Sequence, residues 1–313
     1  MGTAAVRRYG KFVGLGLLVV VVLLAISIGV RKSIPDEFIG AQRAYLNQLE
    51  GLLAGFDSLS TGQRIALVGS SPVIMGMSAE QIETATGVPT RNLALDASRS
   101  VFQDYVTLVA EHIRPGDVVV IANPNLRKSP QMQLPLSCVK HFGFECIRYQ
   151  EGFLPHIVQD SLVLFTNQSF GDETLARTAH GDFIFPEKVQ FTVAPPKFAG
   201  PFPANSAGDM AKLAAIVRSH GGCPIFVLTP FWPEENEVGL WQNEIDRLWQ
   251  GIDAAGLHDI VVPDSPLWNE RTLFHHDEHP SERGREIWSR AIIAKLQERG
   301  LPASCERVNA RAS

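Results

Sequence analysis

Hydrophobic positions in this chain form one long run followed by a series of short ones. The long run, Phe12 to Val30 (FVGLGLLVVVVLLAISIGV), carries no charge. A helix that crosses a bilayer needs about 20 apolar residues, and a helix apolar on every side has no face to turn to water. The run therefore predicts one transmembrane helix. The short runs behave differently. Arg64 to Val68, Thr90 to Leu95, Val118 to Ala122, Pro224 to Thr229 and Ile260 to Val262 are brief, mostly apolar and largely β-branched, as expected of strands buried on both faces. Between them lie amphipathic stretches with helix start and stop signals. Ser78 and Gln81 form a capping box ahead of a helix ending near Gly87, and Ser100 and Gln103 open one that Pro115-Gly116 closes. Ser206 to His220 and Glu237 to Ala254 are further helices, and a last one starts at Pro280 or Ser281 and ends at Gly300.

Strands alternating with helices imply right-handed βαβ units and a parallel sheet covered on both sides. The expected fold class is α/β: a flavodoxin-like three-layer sandwich with about five strands in the order 2-1-3-4-5, preceded by the one transmembrane helix. Residues 126–205 break the rhythm. They are rich in Pro, Gly and Phe and too long for an ordinary connection, so they read as an insertion on the substrate side. The predicted layout is an N-terminus (1–11), a signal anchor (12–30), a linker with a juxtamembrane helix (31–60, helical from Asp36 to Leu53), the α/β domain (61–300) and a tail (301–313).

Charge orients this layout. Arg7, Arg8 and Lys11 precede the anchor, and Arg31 and Lys32 follow it. The slight excess on the first side predicts a cytoplasmic N-terminus and a domain on the periplasmic side of the inner (plasma) membrane. A cleaved signal peptide is the alternative, but the run exceeds a usual apolar core and no small-x-small site precedes Pro35. Net charge is −5, which gives no basic surface for nucleic acid. The cysteines (Cys138, Cys146, Cys223, Cys305) include no CxxC, which argues against a zinc knuckle. Either Cys138 and Cys146 pair across a short loop in an oxidising compartment, or some or all of the cysteines are free thiols.

Two stretches carry candidate chemistry. In IALVGSSPVIMG (65–76), Gly69 ends a strand and sets Ser71 at the carboxyl edge of the sheet, where open α/β sheets bind ligands. Ser71 is either a nucleophile or a helix N-cap. FHHDEHPSERG (274–284) lies between the last strand and the last helix, on the same rim. His279 there is a candidate base for Ser71, with Asp277 or Glu278 to hold its tautomer; the alternative is a loop histidine capping the last helix. His275, His276, Asp277 and His279 also have the composition of a metal cluster, but Pro280 disfavours a helical H-x-x-x-H, and no metal and no cofactor are expected. Asn123 and Asn125 flank Pro124 and are either oxyanion donors or turn residues. Phe231, Trp232 and Trp241 are either a sugar-stacking platform or core.

Together these stretches resemble the GDSL/SGNH hydrolase superfamily, above all its membrane-anchored members that edit or acylate envelope polysaccharides. Gly69-Ser70-Ser71 is similar to the family's G-x-S turn and nominates Ser71 as nucleophile. VPTRNLALDASRS resembles the second block, whose amide, here near Ala97, helps form the oxyanion hole. VVIANPN resembles the third block and offers Asn125 or Asn123. His279, Pro280 and Gly284 match the fifth, D-x-x-H-P-x-x-x-G. The resemblance covers most of residues 62–298 outside the insertion. The chain departs from it in three places: His276 stands where the family has aspartate, leaving Asp277 in a D-x-H arrangement; Asp96, Ala97 and Ser98 replace the second-block glycine; and the asparagine block lacks its leading glycine. The resemblance implies a serine esterase or O-acyltransferase acting on a glycan acyl ester. The departures keep open a second reading, an inactive scaffold binding a glycan or a membrane-bound acyltransferase.

Overall fold

A computed structural model describes residues 40–59, 62–95, 102–122, 176–185, 206–230, 232–257, 260–262, 268, 270–276 and 279–300. The predicted anchor and tail lie outside them, and among the described residues no helix is long and apolar enough to cross a membrane. The chain divides into two units, 1–44 and 45–313, and everything that follows concerns the second.

Its centre is a five-stranded parallel sheet in the order β2-β1-β3-β4-β5, with β1 (Ile65–Val68), β2 (Thr90–Asn92), β3 (Val118–Ala122), β4 (Cys223–Val227) and β5 (Val261–Val262). The strand order is the one expected. The buried strands alternate between two apolar layers, as a period of two requires. Ala66, Val68, Val119 and Ile121 join Leu49, Leu53 and Phe56 of α1 (Gly40–Asp57), with α4 (Phe102–Ala110), α5 (Ser206–Ser219) and α6 (Val238–Ala254), on one face. Ile65, Leu67, Val118, Val120 and Ala122 face α2 (Ser71–Gly76), α3 (Ala79–Thr86) and α7 (Glu282–Glu298) on the other.

Two local features depart from expectation. Regular β2 stops at Asn92, yet Leu93 and Leu95 still donate to the carbonyls of Leu67 and Gly69 (2.9 and 3.0 Å), so the backbone tracks β1 to its end. Pro224 lies inside β4, where a missing N–H should break a ladder. Cys223 donates towards β3, through Asp117 O, and Phe226 towards β5, through Ile260 O. Pro224 therefore turns its nitrogen to the β5 side, two residues before that strand begins pairing at Phe226, and no bond is lost.

Cys223, fully buried at the head of β4, is disulfide-bonded. The free-thiol reading fails for this cysteine. Its partner, Cys138, Cys146 or Cys305, lies outside the described residues, so a Cys138–Cys146 bridge requires Cys223 to pair with Cys305.

Candidate active site

β1 ends at a turn with no spare room. A Cβ on Gly69 would lie 2.2 Å from Val73 Cγ2 and 2.7 Å from the Ala122 carbonyl oxygen, so only glycine lets the chain pass so close to β3. Ser70 then caps α2: its backbone is extended (φ −103°, ψ −165°) and its carbonyl accepts from Val73 and Ile74 N–H (2.8 and 3.2 Å). Ser71 and Pro72 follow in the first turn, where proline's fixed φ suits a helix start. The cap is therefore Ser70. Ser71 is left half-buried on the first turn, and its hydroxyl has other work.

Its partner comes from the far end of the chain. β6 (Phe274–His276) and β7 (His279–Pro280) form a small antiparallel hairpin, pairing Phe274 with Pro280 and His276 with His279. The hairpin is fixed at its base. Ser281 N–H donates to Leu273 O (2.8 Å), while Ser281 Oγ donates to Thr272 O (2.8 Å) and accepts from Gly284 N–H (3.2 Å), capping α7. α7 in turn lies hard against α2, because a Cβ on Gly76 would meet Pro280 at 2.6 Å and Trp288 at 2.7 Å. The result is a hydrogen bond of 2.8 Å between His279 Nε2 and Ser71 Oγ, across 208 positions of sequence. That is the separation a serine nucleophile and its base require.

The remaining candidates fall out as follows. Asp277, Ala97, Asn123, Asn125, Glu278 and Phe231 lie outside the described residues. His276 sits on β6, in register with His279. His275 and His279 occupy different strands of the hairpin, so the helical H-x-x-x-H does not form. The aromatic platform does not assemble as a unit: Trp241 is 4% exposed in the core of α6, whereas Trp232 stacks on Phe274 with centroids 6.3 Å apart and planes at 21°. Trp268 also packs on Phe274, at 5.6 Å.

Under the turn lies Tyr105, fully buried, donating its hydroxyl to Leu93 O (2.6 Å). Burial pushes this phenol well above its ordinary pKa of 10.0, opposed in part by a backbone hydrogen bond at Gly69 and by the charge of Arg177. Two residues that sequence reasoning did not single out also reach the site's supports. Asn92 Nδ2 donates to Val73 O and Met77 O (3.2 and 3.3 Å), holding the end of α2. Asp182, from the insertion, accepts from Ser78 Oγ, Ala79 N–H and Glu80 N–H (3.1, 2.8 and 3.2 Å). The only hint in sequence was glycine before the aspartate. Gly181 has φ +83°, and a Cβ there would lie 2.3 Å from Asn92 O.

Compared with known protein families, curated proteins and solved structures, the chain matches none.

Proposed function

We propose that this chain is a membrane-anchored serine esterase or O-acyltransferase of the SGNH type, its sheet the core of a flavodoxin-like three-layer sandwich, acting on acyl (acetyl) esters of an envelope or secreted polysaccharide. The observation that carries the reading is the Ser71–His279 hydrogen bond of 2.8 Å at the carboxyl edge of the sheet.

In the first half-reaction Ser71 Oγ attacks the ester carbonyl carbon while His279 Nε2 takes the hydroxyl proton. The tetrahedral oxyanion is held by backbone N–H of Ser71 and near Ala97, with Asn125 or Asn123. Collapse breaks the bond to the leaving oxygen, which takes the proton from His279 and leaves acyl-Ser71. A water or a sugar hydroxyl then attacks the acyl carbon, its proton passing through His279 back to Ser71. Asp277 (with His276 beside it) holds the imidazole in the tautomer that accepts at Nε2.

The disulfide at Cys223 supports placing the domain outside the cytoplasm, since such bonds persist in oxidising compartments. With the anchor at 12–30, that reading puts the domain on the periplasmic face of the inner membrane.

The second reading, a catalytically inactive scaffold for a glycan or an acyltransferase partner, is favoured by one observation: His276 occupies the position of the family's aspartate. The test is p-nitrophenyl acetate turnover and fluorophosphonate labelling of the full-length chain in detergent. The enzyme reading expects turnover that Ser71→Ala and His279→Ala both abolish. Absence of turnover and of serine labelling in the intact chain would sink it in favour of the scaffold.

A further inference from the structure

The described part of the insertion, residues 176–185, is a short strap folded on itself through an Arg177–Phe183 bridge. It contacts α2, which carries Ser71, and on the other side α7 and β6, which flank the strand of His279. On the serine side, Phe183 N–H reaches Ile74 O in α2 (3.4 Å), and Asn92 N–H donates to His180 O (2.8 Å). On the histidine side, Arg285 of α7 donates to Phe183 O (2.7 Å) and lies over the Phe185 ring at 4.5 Å, while that ring sits 6.4 Å from the His275 ring of β6.

At the centre is Asp182, 3% exposed. Its carboxylate takes both N–H groups at the start of α3, the Ser78 hydroxyl and, at 3.4 Å, the Asn92 amide. Two of these donors lead onward. Ser78 N–H donates to Ser289 Oγ of α7 (2.9 Å), and the Asn92 amide holds the α2 carbonyls of Val73 and of Met77 just beyond it. One buried carboxylate thus ties the strap, α2 and α7 into a single polar network, and a buried hydrogen-bonded network of this kind fixes geometry.

We propose that Asp182 is a positioning residue for the Ser71–His279 pair. It acts through Asn92 on α2 and through Ser78 on α7, so that the strap at 176–185 is part of the machinery that sets the serine-to-imidazole distance. This rests on the reading of Ser71 and His279 as a catalytic pair, and its test separates the two claims. Asp182→Asn keeps the size but presents an amide N–H₂ to donors that need an acceptor.

The experiment uses the full-length chain in detergent, labelled with ¹³C at the histidine Cε1. It compares wild type, Asp182→Asn, Asn92→Ala and Ile252→Ala; the last is a core truncation in α6 with no part in the network and serves as a stability control. Two quantities are read well below the melting temperatures: the fluorophosphonate labelling rate and the ring chemical shift of His279, assigned by loss in His279→Ala. The expected result is about a tenfold fall in labelling rate and a displaced His279 resonance in Asp182→Asn, with both unchanged in Ile252→Ala. A wild-type His279 resonance in Asp182→Asn overturns the proposal, as does a labelling loss equal to that of Ile252→Ala. If intact protein takes no label, the catalytic reading fails while the His279 shift still decides whether Asp182 positions the ring. Should Asp182→Asn fail to fold, Asn92→Ala is read the same way, since it cuts the link to α2 and leaves the α3 start capped.

Discussion

The two ends of the parallel sheet solve opposite problems with polar side chains. At the amino edge, Arg64 precedes β1 and Asp117 precedes β3, and both are fully buried. Arg64 gives its Nε and one Nη2 N–H to the Asp117 carboxylate, the other Nη2 N–H to His112 O and an Nη1 N–H to Phe56 O, with Asp57 Oδ1 3.8 Å from Nη1, and lays its plane on the Phe56 ring at 3.9 Å. Asp117 also takes the Arg64 and Arg114 N–H groups (3.0 and 2.8 Å). Donors and acceptors match inside the protein, and this end is a joint. At the carboxyl edge, Ser71 and His279 are only half-buried, and one hydrogen bond joins them. The difference teaches where reactivity can reside. A saturated ion pair has nothing left to offer a substrate, while a hydroxyl and an imidazole at an open rim can each exchange a proton.

Perturbing each end should show this division of labour. The largest effect is expected at the rim: Ser71→Ala or His279→Ala should cut p-nitrophenyl acetate turnover about 10⁴-fold or more while calorimetry finds the melting temperature little changed. A melting loss as large as that at the joint would erase the contrast. At the amino edge Asp117→Asn strands the buried Arg64 charge and should cost about 3–5 kcal/mol in urea unfolding, with turnover per folded molecule unaffected. Cys223→Ala should cost about 2–4 kcal/mol, and peptide mapping without reduction identifies the partner cysteine. Gly69→Ala joins the two ends, because the new Cβ pushes Val73 and the α2 turn; about 1–3 kcal/mol of stability and a share of the turnover should go together.

The smallest effect belongs to Tyr105→Phe, about 1 kcal/mol near neutral pH from one lost hydrogen bond. Its pH dependence is more telling. The phenol's pKa is raised in the folded state, so above pH 10.0, the ordinary value, the unfolded chain loses a proton that the folded chain keeps. Wild-type stability should then fall by up to about 1.4 kcal/mol per pH unit from this group, and the variant should lack that slope.

Much of the sheet was legible because its strands are buried on both faces and so appear as unbroken runs such as VVVIA (118–122). Ser71 and His279 were legible for a related reason: each follows a turn signal at the sheet's rim, Gly69 in one case and the loop before Pro280 in the other. The supports were not legible. α2 is six residues long and has no period to detect. Apart from Phe274, the β6–β7 hairpin is built from histidines and a proline rather than β-formers. Asp182 bonds to Ala79 across 103 positions, from a segment without periodicity, and long-range polar partners leave no local pattern.

The distance between Ser71 and His279 along the chain also has a consequence for biosynthesis. Ser71 emerges from the ribosome 208 positions ahead of the imidazole, and the β1 and α2 residues that shape its turn emerge with it. Until α7 docks and draws the hairpin over the rim, the hydroxyl has no base. On the proposed esterase or acyltransferase reading, nascent or C-terminally clipped chains should therefore be chemically silent, and the first acyl transfer would mark a chain that has been completed.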